Sequence, residues 1–377
     1  MRILFAGGGT AGHINPAIAI ANHIREEHPE AEIAFVGTPK GMENRLVPKE
    51  DYPLYHIDIQ GFQRKLTPKN VATLYKAVRS LHESGKIIRG FKPDVVVGTG
   101  GYVSGPVLYK AAQMGIPTAI HEQNAFPGMT SKILSRVVDR VLISFDSSRK
   151  FFTKVPQEKM ILTGNPIRDN MSRLTREEAK EAIGVNPDMP LLVCFAGSLG
   201  AEAINRVMEE MLQTHKDDHR MTVIWATGER YFDEISGRLQ PVLSQPQYQH
   251  IHVQRYIYNM DQVMAAADLL VCRSGAITLS ELACLGKAAV LIPSPNVTGN
   301  HQYYNAKAFA DIGGAVLVEE KDLTAEGVYA HLDRLLVHPE ELHRMEEQVR
   351  TVAYPKATAH ICSLILDLAE KGSPKGK

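Results

Sequence analysis

Twice along the chain a short apolar run ends in a glycine cluster that leads straight into an amphipathic helical pattern. The first copy is residues 3–6, then Gly7-Gly8-Gly9-Thr10-Ala11-Gly12, then a helix expected over 15–24 with Pro16 in its first turn. The second is residues 191–195, then Ala196-Gly197-Ser198-Leu199-Gly200-Ala201, then a stripe of Ile204, Val207, Met208 and Met211. A buried strand that enters a helix through a tight glycine turn is the opening of a parallel α/β unit. Further strand runs at 32–36, 94–98, 118–121 and 140–144 alternate with helical stretches, which predicts a parallel sheet covered on both faces.

The pattern breaks at Gly164-Asn165-Pro166, and Thr175-x-x-Glu178 then supplies a capping box for a new helix. With 377 residues, two cores are expected rather than one. The predicted architecture is two Rossmann-like domains with parallel sheets facing each other across a cleft. Residues 1–163 and a C-terminal helix over 354–371 form one, and residues 164–353 the other.

The 42 basic side chains balance 42 acidic ones, which removes the simplest case for a nucleic-acid partner. Cys194, Cys272, Cys284 and Cys362 are far apart and form no C-x-x-C pair, so a reducing compartment is expected and neither a disulfide framework nor a zinc knuckle is read. The first twenty residues show no secretory pattern. The uncharged stretch 95–109 falls short of the roughly 20 apolar residues a spanning helix needs, and glycines and a proline interrupt it.

Ligands of such sheets bind outside the carboxyl ends of the strands, so the loops after each strand carry the candidate chemistry. Gly7-x-Gly9-x-x-Gly12 matches the dinucleotide spacing, but the second strand ends in Val36-Gly37-Thr38 and lacks the ribose-binding acid there. This weakens the reading as an NAD-dependent dehydrogenase. His13 follows the turn, where the positive end of a helix disfavours imidazolium and suits a proton acceptor. Gly98-Thr99-Gly100-Gly101-Tyr102 and His121-Glu122-Gln123-Asn124 exit neighbouring strands and are expected to converge on the same edge. In the second half, Arg273-Ser274-Gly275 precedes Ala276, Ile277 and Thr278, a candidate phosphate turn, with Glu281 as a candidate ribose ligand. His301 and Gln302 follow another strand exit and offer groups for sugar hydroxyls. No D-x-D pair occurs, so no metal is expected in the reaction, and leaving-group charge is left to dipoles and Arg168.

Taken in order, Gly7-Gly8-Gly9-Thr10-x-Gly12-His13-x-x-Pro16, Gly98-Thr99-Gly100-Gly101-Tyr102, His121-Glu122-Gln123-Asn124, Gly164-Asn165-Pro166-x-Arg168, Gly197-Ser198-x-Gly200-Ala201, Arg273-Ser274-Gly275-Ala276 and His301-Gln302 strongly resemble the MurG family of bacterial glycosyltransferases. The resemblance spans nearly the whole chain. It implies a GT-B fold and inverting transfer of N-acetylglucosamine (GlcNAc) from UDP-GlcNAc to lipid I, giving lipid II, with no cofactor. It also implies a peripheral location at the cytoplasmic face of the cell membrane, beside other proteins of cell-wall synthesis. By position in the motifs, Ile257 resembles the uracil contact. Ser198, Arg168 and the Ala276–Thr278 turn resemble the diphosphate site, Glu281 the ribose ligand, and His301 and Gln302 the GlcNAc contacts. Thr10, Gly12, His13, Tyr102, Glu122, Asn124 and Lys132 match acceptor-side positions, with His13 the expected base and Glu122 its expected assistant. Two positions depart from the pattern: Ala11 and Ala196 stand where many members have glycine. A UDP-GlcNAc 2-epimerase would share the fold and the donor but leaves the acceptor loops and the basic segment unexplained.

That segment runs from 61 to 92 with eight basic residues against Glu83 alone. Leu74, Val78 and Leu81 recur at helical spacing among Lys69, Lys76 and Arg79, an arrangement suited to an anionic membrane surface. Residues 1–150 carry 19 basic and 13 acidic side chains, so the neutrality of the chain is a cancellation between its halves.

Overall fold

The computed structural model describes residues 1–60, 69–167 and 174–372, with side chains from residue 76 onward in the helix Lys69–Phe91. It resolves into two compact units, Met1–Arg168 with Tyr354–Lys377, and Asp169–Ala353.

The first unit holds a seven-stranded sheet of β1 (Arg2–Gly7), β2 (Glu32–Gly37), β3 (Leu54–His56), β4 (Val95–Gly100), β5 (Thr118–Glu122), β6 (Arg140–Ile143) and β7 (Met160–Leu162). The order is β3-β2-β1-β4-β5-β6-β7, and every pairing is parallel. The second unit holds β8 (Leu191–Phe195), β9 (Thr222–Ala226), β10 (Ile251–Gln254), β11 (Leu269–Cys272), β12 (Ala289–Leu291) and β13 (Ala315–Leu317), again all parallel, in the order β10-β9-β8-β11-β12-β13. The central strands are apolar runs buried along almost their whole length, as a sheet covered on both faces requires. In each unit the strand order reverses beside the first strand, between β1 and β4 and between β8 and β11. That reversal opens a crevice at the carboxyl edge, and both glycine turns sit on it.

The first helix spans Ala11–Glu27 and so begins earlier than its hydrophobic stripe suggests. Pro16 lies inside it and cannot donate to the Gly12 carbonyl, so sequence pattern underestimates this end. The capping box forms as expected: Glu178 N donates to Thr175 Oγ1 at 3.2 Å, and Thr175 N to Glu178 Oε2 at 2.8 Å.

The Gly164-Asn165-Pro166 break belongs to the first unit rather than opening the second. Asn165 Nδ2 donates to the Gln123 carbonyl at 3.1 Å, and Thr358 Oγ1 donates to the Ile167 carbonyl at 2.8 Å. The second bond anchors the start of the helix Ala357–Gly372, whose Ile361, Cys362 and Ile365 complete the core beside Ile20 and Ile24. No helix among the described residues is long and apolar enough to cross a membrane.

Candidate functional site

At the β1/β4 crevice the two glycine turns interlock. Gly101 (φ 78°) leaves room for the Gly8 carbonyl, and Gly100 (φ 111°) leaves room for the His13 ring, whose Nδ1 would lie 2.5 Å from a Cβ at that position. Thr99 Oγ1 donates to the His13 carbonyl at 2.7 Å, which clamps the backbone of the same residue. His13 is half-buried, and its Nδ1 lies 3.4 Å from Gln123 Oε1, while Thr10 and Gly12 are exposed at the lip.

Glu122 takes a different place from the one expected of an assistant to His13. Side chains alternate across β5 and its exit, so His121 and Gln123 face one way and Glu122 the other. The Glu122 carboxylate is buried in its own loop, where it accepts from Asn124 N (3.0 Å), Asn124 Nδ2 (3.2 Å) and Gly128 N (3.0 Å). It organises Asn124 and the start of the helix Met129–Leu134. The residue touching the His13 ring is Gln123, which the motif contains but which sequence reasoning assigned no role. Lys132 lies with Nζ 3.8 Å above the Phe126 ring; burial pulls its pKa down and the Glu122 charge opposes that.

A second residue missed from sequence is Glu43. It is fully buried, and its carboxylate accepts from Gly9 N (3.1 Å), Thr38 N (2.6 Å) and Thr38 Oγ1 (2.8 Å). A Cβ on Gly8, Gly37 or Gly41 would run into it. Burial raises its pKa, but the bonds from Thr38, its own amide and Gly9 outweigh this and hold it below the usual carboxylate range. The acid absent from the end of β2 is thus supplied five residues after Thr38. It occupies an amide that a dinucleotide pyrophosphate would require, which argues against the dehydrogenase reading.

Beside this crevice lies an apolar groove of about 420 Å³, bordered by Tyr102, Leu81, Ala77, Tyr109, Met129 and Ile133. Tyr102 is 57% exposed, Met129 72% and Ile133 59%, a concentration of open apolar surface unusual for a water-facing helix pair. Tyr102 therefore belongs both to the glycine turn and to the groove. Of the basic amphipathic residues, Val78 is exposed, Lys76 Nζ pairs with Asp58 Oδ1 at 3.0 Å, and Arg79 Nε with Glu83 Oε1 at 2.8 Å. The side chains of Lys69 and Leu74 lie outside the described residues. Met129 and Ile133, spaced i,i+4, were the available sequence signal for the far wall of the groove.

In the second unit the helix Ala276–Leu285 opens at the β8/β11 crevice with Gly275 as N-cap, so Ala276, Ile277 and Thr278 form its first turn, where a helix favours anions. Glu281 sits half-buried in the next turn. Arg273 serves the scaffold: Nη1 donates to the Ile292 carbonyl at 3.1 Å, and Nη2 pairs with Glu320 Oε2 at 2.5 Å. Ser274 Oγ donates to the Gln302 carbonyl at 2.8 Å, and Ser294 N to Gln302 Oε1 at 2.9 Å, which pins the start of the helix His301–Ala310. His301 Nδ1 donates to the Thr298 carbonyl at 2.7 Å. Ser198 is exposed after β8, and Ile257 is buried after β10 between the exposed Tyr256 and Tyr258. Arg168 lies outside the described residues. Among the described residues, no group of three His, Cys, Asp or Glu is placed to hold a metal ion.

Residues 3–143 match the glycosyltransferase family 28 N-terminal domain, and residues 191–361 its C-terminal domain. The UDP-N-acetylglucosamine--N-acetylmuramyl-(pentapeptide) pyrophosphoryl-undecaprenol N-acetylglucosamine transferase of Acetivibrio thermocellus is 46% identical over 98% of both chains. The crystal structure of Acinetobacter baumannii MurG is 30% identical, covers 97% of this chain and 99% of its own, and superposes with a TM-score of 0.77. A UDP-GlcNAc 2-epimerase from Neisseria meningitidis, at 15% identity and a TM-score of 0.65, shares the fold alone. Two Rossmann-like units carrying these motifs form the GT-B architecture, and the chain belongs to glycosyltransferase family 28, within its UDP-GlcNAc-dependent hexosyltransferases of the MurG type.

Proposed function

We propose that this protein transfers GlcNAc from UDP-GlcNAc to the C4 hydroxyl of the MurNAc sugar in lipid I, with His13 as the general base. The acceptor oxygen attacks the anomeric carbon on the face opposite UDP, its proton passes to His13, and the bond to the UDP oxygen breaks. One displacement inverts the configuration. The observation that carries the assignment of His13 is its placement. The ring is wedged against Gly100 at the β1/β4 crevice, Nδ1 is turned to Gln123, and Nε2 makes no hydrogen bond among the described residues.

The first unit supplies the acceptor side: the lip of Thr10 and Gly12, the Asn124 loop organised by Glu122, and Lys132 beside it. Tyr102 joins this lip to the apolar groove, which suits an acceptor whose polar head continues into a polyprenyl tail. The exposed Met129, Ile133 and Val78, with the basic residues around them, are the face proposed to rest on an anionic membrane surface as a peripheral contact. The second unit supplies the donor side. The Ala276–Thr278 turn, Ser198 and Arg168 hold the diphosphate, Glu281 the ribose, Ile257 the uracil, and His301 and Gln302 the sugar.

Incubation of the protein with labelled UDP-GlcNAc and a lipid I analogue, with and without EDTA, tests the reading. Transfer is expected in both. General-base assistance is typically worth about 10²- to 10⁴-fold, so His13→Ala is expected to lose that much turnover. Near-normal turnover in this variant would remove His13 from the reaction.

A further inference from the structure

Gln123 bridges two histidines. We infer that it is a positioning residue that holds His13 in the Nδ1–H tautomer, so that Nε2 is the atom left to take the acceptor's proton. This rests on the reading of His13 as the base.

The amide of Gln123 has a single workable orientation. Its nitrogen lies 2.9 Å from the Thr99 carbonyl oxygen and 3.1 Å from the His121 carbonyl oxygen, which accept hydrogen bonds and never donate them. Turning the amide over would press its oxygen against both carbonyls inside a buried site and leave the Thr99 oxygen without this donor. Gln123 Oε1 therefore faces His13 Nδ1, at 3.4 Å, and an acceptor-only atom there requires the proton to be on Nδ1.

The surrounding bonds agree. Gln123 Nε2 also lies 3.0 Å from His121 Nδ1, so that ring carries its proton on Nε2, which donates to the Gly164 carbonyl at 3.0 Å. His121 is fully buried, and burial pushes its pKa down, which keeps the ring neutral and preserves this polarity. Donation thus runs in one direction, from the His13 ring through Gln123 and His121 to the Gly164 carbonyl. Gly100, packed against the ring, and Thr99, which clamps the backbone carbonyl of the same residue, keep the ring within reach of Oε1. Without that acceptor, a neutral imidazole divides between its two tautomers, and only the Nδ1–H form has its lone pair on Nε2.

Long-range ¹⁵N–¹H correlation spectra of the histidine-labelled full chain, recorded at alkaline pH, where imidazoles are neutral, read the tautomer directly. The His13 signal, identified by its loss in His13→Gln, is expected to show Nδ1–H in the unaltered protein. Gln123→Met, which keeps the bulk but removes the acceptor, is expected to move that signal toward the Nε2–H form. The same variant is expected to lower kcat about tenfold or more with KM for UDP-GlcNAc unchanged, within the range general-base assistance supplies. A purely structural role would alter stability or KM without changing the tautomer. An Nε2–H signal in the unaltered protein, or an unmoved signal in Gln123→Met, overturns the inference. Full turnover by His13→Gln instead overturns the base reading, and the spectrum of the unaltered protein separates the two failures.

Discussion

The Glu43 carboxylate accepts the Gly9 amide at 3.1 Å across 34 residues of chain, so the glycine-rich turn that opens the protein is held by an acid from the far side of the next strand. Glu43→Ala strips this partner from three part-buried donors. It is expected to lower stability by about 1 to 3 kcal/mol, the scale of losing hydrogen bonds to a charged group where water can partly replace it. It is also expected to raise KM for the lipid I analogue more than KM for UDP-GlcNAc. Urea unfolding and steady-state kinetics check both halves; unchanged unfolding would mean that the turn keeps its shape unaided. Because the folded pKa of Glu43 is lowered, its contribution is full above the unfolded carboxylate range and is lost as pH falls through the folded pKa.

Lys287 sets a pH dependence of opposite origin. Burial pushes its ammonium down to about 7, Arg176 adds to this, and Glu346 and Asp268 oppose it, while Nζ donates to the Ala267 carbonyl at 2.7 Å. Between about pH 7 and the unfolded value near 10.4 the unfolded chain holds more protons than the folded one, so stability from this site rises with pH. Below that window both states are charged and the folded state bears the full cost of burial. Lys287→Met is expected to flatten the rise, so its difference in unfolding midpoint from the unaltered protein changes steadily across that window. Parallel curves would refute the assignment.

The donor side is probed at Glu281. If its carboxylate holds the ribose hydroxyls, Glu281→Ala raises KM for UDP-GlcNAc about tenfold or more, consistent with the loss of charge-assisted hydrogen bonds. KM for the acceptor is expected to hold. An unchanged donor KM would place the ribose elsewhere.

Membrane contact is expected to depend on the groove wall more than on the paired bases. Lys76 and Arg79 already meet Asp58 and Glu83, whereas Met129 and Ile133 stand open to solvent. Replacing both with Glu is expected to weaken binding to vesicles rich in anionic lipid by at least about tenfold, since burying one such side chain is worth about 1.5 to 3 kcal/mol. Activity on a short-chain, water-soluble acceptor should persist. Equal vesicle binding by the double variant would shift the contact to another face.

Local pattern alone determined much of this protein. Strand, glycine turn and helix follow from apolar runs and backbone freedom within a dozen residues, so both Rossmann-like units, the capping box at Thr175 and the two glycine turns were legible in order along the chain. His13, Tyr102 and the Ala276–Thr278 turn were legible for the same reason, since each follows directly from a strand end. Tertiary structure decided what those groups touch. Glu43 reaches Gly9 only because β2 lies beside β1, and the Gly164 break joins the first unit because Asn165 bonds back to the Gln123 carbonyl and the helix Ala357–Gly372 returns to pack there. Gln123 rather than Glu122 meets His13 because alternation at the end of β5 turns one side chain to the crevice and its neighbour into the loop. Motif spacing brings a residue to a strand end; hydrogen-bond partners drawn from distant segments then set the direction and protonation of its side chain.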